Sequence, residues 1–455
     1  MRRLLLASFF VSALAVAQVG PASTESQVAS RADGASQPLV WSLADAVGYA
    51  REHSPRLHSA RAAIERARGE EQVAFAPFLP ELDLLFQSGA TSSNLGPGIT
   101  GPTGHILTST PGTRAYAQSE LRLEWILLDF GRRSGRHDQA AARQRMAELR
   151  LIRADQTVQF DVTTAYLNIL LAHASLRVQE DAIRQAEATL KDTRARFTGG
   201  VADPNDVLRA EVQLSESREA AVNAEEAEAL AVAQLNNVMG RDASLPLDVV
   251  DLQLPPPETR PSLAQDLEVA AAQRAEAGFA REAVAAARAG ATSARADLLP
   301  RISLRASGGR VDGAHVQTGW QAGTGLHLEL PLYTGGRVSG EIHAAEAEVT
   351  AATADAQVIL DAISLEVDQA YRSELAAGQR VQLSRPTVTQ AQENLRLVRV
   401  RYRNGDATPT DIADAQAALT RSQQRYASAT YAYLAAVARL DFATGREQQP
   451  RRGGP

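Results

Sequence analysis

The chain has 455 residues, 47 basic against 53 acidic, a formal charge of −6, 44% hydrophobic residues and no cysteine. A mildly acidic chain is a poor candidate for nucleic-acid binding, which calls for a basic surface. With no cysteine there is no disulfide and no amino-terminal lipid thioether.

Arg2 and Arg3 precede an apolar run from Leu4 to Val16, and Ala15-Val16-Ala17 fits a small-residue cleavage site. This predicts a secretory signal peptide over 1–17, whose removal takes the net charge to about −8. The run is too short for a permanent anchor, and no other segment approaches the length of a membrane helix. Residues 18–40 are rich in Ser, Ala and Gln and read as disordered.

From Trp41 the composition becomes that of a helix rich in Ala, Arg and Glu, ending at Leu79-Pro80. The period then switches to two. Leu82, Leu84 and Phe86 alternate with Glu81, Asp83 and, after Leu85, Gln87, and Leu121, Leu123 and Trp125 alternate with Glu120, Arg122 and Glu124. These predict a β-hairpin within 80–128, joined by a polar Gly/Ser/Thr/Pro-rich loop over 91–113. One apolar and one polar face suits a membrane barrel or a half-buried soluble sheet equally.

A long helical hairpin follows over 134–238. Val162, Ile169, Leu176, Ile183, Leu190 and Phe197 fall seven apart, the spacing that seats helices in coiled coils. Gly199-Gly200 stops this helix and Pro204 suits the start of the next, which returns on Val207, Leu214 and Leu235. From Ser134 to Phe197 the helix would run on the order of 95 Å. Residues 241–260 read as a Pro-rich connector.

The remaining chain repeats this order. At an offset of 220, Ser42-Leu43-Ala44 meets Ser262-Leu263-Ala264 and Leu79-Pro80 meets Leu299-Pro300. At an offset of 205, Glu124 meets Glu329, Ser134-Gly135 meets Ser339-Gly340, Tyr166 meets Tyr371, Gly200 meets Gly405 and Gly240 meets Gly445. A shorter second loop, 308–318, accounts for the change of offset. The chain thus reads as a first repeat over 41–240 and a second over 261–445, the latter with a β-hairpin at 300–332, a helical hairpin at 338–443 and a loose tail at 446–455. In the second hairpin Val367, Val381, Val388, Leu395 and Tyr402 keep the seven-residue spacing, with Glu374 the polar interruption. Its return helix carries Ile412, Leu419, Tyr426, Tyr433 and Leu440. Four amphipathic strands cannot close a membrane barrel, whereas three chains would supply twelve.

Leu-Leu-Asp-Phe-Gly-Arg-Arg (127–133) and Pro-Leu-Tyr-Thr-Gly-Gly-Arg (331–337) mark the passage from strand to helix. The tips read Arg196-Phe197-x-x-Gly200…Asp206-Val207-Leu208 and Arg401-Tyr402-x-x-Gly405…Asp411-Ile412-Ala413-Asp414. In these features, their order and their length, the chain resembles the outer-membrane efflux proteins of the TolC family from Ser42 to Gly445. The resemblance implies a mainly α protein with a transmembrane β-barrel: a homotrimer whose 12-stranded barrel is continued by a coiled-coil helical barrel. It implies residence in outer-membrane lipid, with the helices in the periplasm. It further implies an exit duct for efflux or type I secretion, working with a periplasmic adaptor and an inner-membrane transporter.

The resemblance also implies roles at the tips. Asp411 and Asp414 would line a periplasmic constriction, where three chains would gather six carboxylates and favour cations. Tyr402 would hold the mouth closed against the first hairpin, with Asp206 as the matching partner. Gly200, Gly405, Arg196 and Arg401 would form adaptor-docking tips. A tip arginine of the family corresponds here to Ala407, so the same gate network is not implied. Beside these roles stand simpler ones. Asp206 and Asp411 lie at helix starts, where a carboxylate caps, and Tyr402 occupies an apolar heptad position.

No nucleophile elbow, P-loop or paired-acid pocket is present, and the histidines show no ligand spacing. Gly96-Pro97-Gly98-Ile99-Thr100-Gly101 matches a dinucleotide fingerprint only in form, since it lies in a loop between strands. No enzyme activity, cofactor or metal is expected. The alternative from another class is an exported trimeric coiled-coil spacer without a channel; Trp125 and Trp320 near strand ends favour the membrane reading.

Overall fold

The computed structural model describes residues 39–92, 113–252, 262–313 and 319–446. The expected signal peptide, most of 18–40, the centres of both strand loops, part of the connector and the tail lie outside the described residues. Val40–Pro455 forms one unit, distinct from Met1–Leu39. In order the elements are β1 (Leu39–Trp41), α1 (Leu43–His53), α2 (Pro55–Phe75), a 3-10 turn (Ala76–Phe78), β2 (Glu81–Ser92), β3 (Thr113–Leu128), α3 (Arg132–Thr198), α4 (Pro204–Met239), β4 (Leu247–Val249), α5 (Leu263–Gln273), α6 (Ala275–Ala296), β5 (Arg301–Gly313), β6 (Gly319–Glu329), α7 (Arg337–Asn404) and α8 (Pro409–Thr444).

The two long helices, α3 and α7, have 67 and 68 residues, each about 100 Å of rise. Their heptad positions carry the packing. Val162, Ile169 and Leu190 are buried on α3, Val367, Leu395 and Tyr402 on α7, and Ile412, Leu419 and Leu440 on α8. Glu374 is buried in the same stripe. Phe197 is the exception: it keeps the spacing but is 46% exposed, whereas Tyr402 at the matching position of α7 is buried.

Two expectations need correction. Each shorter helix is really a pair. Ser54, ahead of Pro55, takes φ −65° and ψ 122° and separates α1 from α2, since the proline ring disfavours the helical region for the residue before it. Arg274 adopts the same geometry between α5 and α6 without a proline. Its guanidinium is instead drawn inward to Glu276, Glu366 and the Ala443 carbonyl. The second correction concerns the segments read as disorder and connector, which contribute β1 and β4, a two-stranded sheet. Tyr166 of α3 ties them together: its single O–H lies between the carbonyls of Val250 at 2.6 Å and Trp41 at 3.0 Å, donating to the nearer. Burial pushes this phenol well above its ordinary pKa, so it stays a donor.

The larger sheet has the order β2-β3-β5-β6, antiparallel throughout. Its register sorts the side chains into two faces. Leu82, Leu84, Phe86, Leu121, Leu123, Trp125, Leu304 and Leu326 share one; Glu81, Asp83, Glu120, Arg122, Glu124, Arg305 and Glu329 share the other. Arg305 pairs with Glu124 at 3.1 Å across the charged face, while Leu84, Phe86, Leu326 and Trp320 on the apolar face are more than 70% exposed. Gly309 permits the closest strand approach, since a Cβ there would lie 2.3 Å from the Ser119 carbonyl oxygen.

The strand-to-helix motif has a local cause. Phe130 and Gly131 turn the chain with φ of 53° and 109°. Buried Asp129 accepts from the Arg133 backbone N–H and Nε at 2.9 and 3.1 Å. Arg133 in turn donates to the Ile126 and Pro77 carbonyls and covers the Phe78 ring at 4.8 Å. At the second junction Gly335 and Gly336 make the turn with φ of 62° and 85°, and Thr334 stands where Asp129 does.

Candidate functional site at the hairpin tips

Both tips follow one local plan. Gly200 (φ 72°) and Gly405 (φ 88°) end the outgoing helices in the left-handed region that favours glycine. Asp203 and Thr408 cap the returning helices, each with a proline in the first turn and a reciprocal carboxylate three residues on. Those carboxylates are Asp206 and Asp411. Asp411 accepts from the Thr408 backbone N–H at 2.7 Å and its hydroxyl at 2.8 Å; Asp206 accepts from the Asp203 N–H at a looser 3.4 Å. The capping role is therefore built for both.

Asp411 and Asp414 are exposed on α8, while Ile412 between them and Ala415 just after them are buried. The Thr408 N–H and hydroxyl hold the Asp411 carboxyl below the usual carboxylate range, with Arg401 adding a smaller attraction. A depressed folded pKa means that this carboxylate's stabilisation is present above its ordinary value and is lost only as pH falls through the lower one. If Asp411 lines a channel mouth, Asp414→Ala, in which Asp411 alone remains at this turn, would keep its cation selectivity down to pH 3.8. Reversal potentials over a pH series check this; selectivity lost above that value would detach Asp411 from the permeation path.

Tyr402 is buried at 5% exposure and lies against the first hairpin. Its partner there is Arg196, whose guanidinium sits 4.1 Å from the ring centroid, and not Asp206. Arg196 also faces Asp192 at 3.5 Å, so it is held within the protomer, unlike Arg401, Gly200 and Gly405, which are exposed. A second clasp, Arg209 Nη1 to Thr410 Oγ1 at 2.9 Å, joins α4 to α8. The sequence reading overlooked Arg209 because nothing local marks it. Cation–π contacts of this kind contribute about 0.5–2 kcal/mol. If the tips gate a channel, Arg196→Met would shift the balance of clasped and open tips about 2- to 30-fold, read as open probability in planar bilayers. A shift produced by Tyr402→Ala but absent in Arg196→Met would leave packing alone in charge of the contact.

Among the described residues no group of three or more His, Asp or Glu is placed to hold a metal, and no described helix is long and apolar enough to cross a membrane.

Comparison with known proteins agrees with this architecture. A family described as outer membrane efflux protein matches residues 46–241 and 267–446. The outer membrane efflux protein BepC of Brucella suis is 26% identical over 421 residues, covering 90% of this chain and 86% of its own. The alkaline protease secretion protein AprF of Pseudomonas aeruginosa is 24% identical over 419 residues, covering 89% and 84%. Among solved structures, the outer membrane protein VceC of Vibrio cholerae superposes with a TM-score of 0.78 at 21% identity, over 90% of this chain and 97% of that one. The match spans both hairpin pairs and both strand pairs, and the chain belongs to the outer membrane efflux protein family.

Proposed function

We propose that this chain is the exit duct of an envelope-spanning export machine. Its strands cross the outer membrane, and its helices extend through the periplasm toward an adaptor and an inner-membrane pump. The family is one of efflux and secretion channels rather than enzymes. Residues 1–17 serve export; 41–240 and 261–445 are the two repeats.

One observation carries the reading: the surfaces left open in a single chain are complementary to one another. Within the chain, β3 pairs with β5, and α3 approaches α6 so closely that a Cβ on Gly135 would lie 2.7 Å from the Ala289 oxygen and the Ser293 nitrogen. The repeat offsets carry Gly135 to Gly340 on α7, and Ala289 and Ser293 to Gly69 and Val73 on α2. Gly340 and Gly69 have nothing within 4 Å of a Cβ, and Val73 is 74% exposed. By the same offsets β6 would pair with β2 of another copy. Both are free edges here, and such edges leave backbone groups unsatisfied in lipid. A head-to-tail ring closes both surfaces at once, and three copies give twelve strands with the apolar face outward and the charged face lining the lumen. A channel-free spacer would leave the apolar face, with Leu84, Phe86, Trp320 and Leu326 more than 70% exposed, in water.

At the periplasmic end Asp411 and Asp414 form the constriction and Arg196–Tyr402 closes it, while Gly200, Gly405 and Arg401 are left exposed for the adaptor. The test exploits a chain with no cysteine. Gly340→Cys combined with Val73→Cys is expected to give a disulfide-linked trimer on oxidation. Monomers only, or a ladder beyond three, would defeat the closed ring. In planar bilayers the wild type is expected to form cation-selective channels, with selectivity reduced in Asp411→Ala/Asp414→Ala. Unchanged selectivity would move the constriction elsewhere.

A further inference from the structure

A cavity of about 960 Å³ lies between the two hairpins, above the tips, walled by α4 and α7 and floored by α3 and α8. Three arginines line it: Arg380 of α7, and Arg421 and Arg425 one turn apart on α8. Glu216 is the one acid among the lining side chains. Several other arginines near the tips are engaged, Arg194 with Glu211, Arg196 with Asp192 and Tyr402, and Arg218 with Glu187. By contrast, no described residue pairs with Arg380, Arg421 or Arg425. Leu383, 72% exposed, sits on the same wall as Arg380.

The direction in which this recess opens follows from the helix period. Asp414, Arg421 and Ser428 fall seven apart on α8; Arg425 lies fourteen residues after Asp411 on the same stripe, with Ala432 seven beyond it. The buried stripe of α8, Ile412, Ala415 and Leu419, lies on the other side. The arginines therefore share a helix face with the two aspartates, about 10–20 Å farther from the tip at 1.5 Å per residue.

We propose that just inside the acidic mouth the conduit carries an arginine-lined recess that binds amphipathic organic anions, a carboxylate or phosphate joined to an apolar body. This rests on the reading of Asp411 and Asp414 as lumen-facing. Unpaired guanidinium groups offer forked donors to a carboxylate or phosphate, and Leu383 with the neighbouring alanines covers an apolar portion. The mouth then passes from negative to positive potential along one stripe. An anionic cargo that the aspartates repel would be retained once past them, and a small inorganic cation would meet its barrier deeper than the constriction.

The probe is 2-naphthoate, titrated by fluorescence anisotropy into the detergent-purified full chain. Binding is expected in the wild type, at least about tenfold weaker in Arg421→Gln/Arg425→Gln, which corresponds to about 1.4 kcal/mol. It is expected to be unchanged in Arg385→Gln, outside the recess. No binding by the wild type, or equal binding by the double arginine variant, overturns the proposal. A second measurement fixes the side. Ser428→Cys supplies the chain's only thiol, and its reaction with sulfonatoethyl methanethiosulfonate is expected to lower single-channel conductance. Full modification with unchanged conductance puts the recess on the outer surface, overturning the proposal in favour of an acidic partner protein. A failure of the mouth reading shows separately, as unchanged cation selectivity in Asp411→Ala/Asp414→Ala.

Discussion

Arg274→Ala is expected to destabilise the protein by about 3–5 kcal/mol, the range for breaking a buried ion pair from one side. Arg274 is 4% exposed. Its guanidinium holds Glu276 through two contacts of 2.8 and 3.1 Å, Glu366 at 2.8 Å and the Ala443 carbonyl at 2.8 Å. Arg153 of α3 supports the cluster, reaching Glu276 at 2.6 Å and covering the Phe442 ring at 3.6 Å. One side chain thus joins the α5–α6 junction to α7 and to the end of α8. Truncation strands Glu366 and the carbonyl without a donor, whereas Glu276 keeps Arg153. Thermal unfolding of the detergent-purified protein measures the loss. Adding Glu366→Gln to Arg274→Ala is expected to recover part of it, because the stranded charge is removed. An unchanged transition in Arg274→Ala would mean that the cluster contributes no net stability.

Gly135→Val is expected to prevent folding or to cost several kcal/mol. The first added carbon would already lie 2.7 Å from two backbone atoms of α6, and backbone cannot rotate aside as a side chain can. Ser293 Oγ donates to the Arg132 carbonyl at 3.1 Å in the same contact, so separating the helices also breaks a hydrogen bond. The yield of folded protein by size exclusion, with its thermal unfolding, reads the effect. Gly135→Ala is expected to be milder but still harmful, despite alanine's better helix propensity. A protein stabilised by Gly135→Ala would show that α3 and α6 have room to part.

The sequence was most informative where one physical rule acts on a short stretch. Alternation identified the four long strands and their two faces, because side chains on a strand point to opposite sides every second residue. Glycine before proline located both tips. The capping box at Thr408–Asp411 was legible as a carboxylate at a helix start. The same evidence left Tyr402 ambiguous between packing and gating, and a heptad position cannot say which residue of another helix will cover it. The arginine recess left one trace in the sequence, the seven-residue spacing of Asp414, Arg421 and Ser428. That spacing marks a face without revealing what lies opposite.

By itself, then, the sequence determined the order and type of the main elements, the duplicated plan and the positions of the turns. All of these depend on interactions within a few residues or on the period of a single element. Only the tertiary structure decided that Tyr402 meets Arg196, that Arg274 bends a helix without proline, and that residues read as disorder and connector form a strand pair under Tyr166. These depend on residues brought together from some 200 positions apart, 206 between Arg196 and Tyr402 and 209 between Trp41 and Val250. The free energy of such contacts comes from burial and charge placed in three dimensions, and no local period records it.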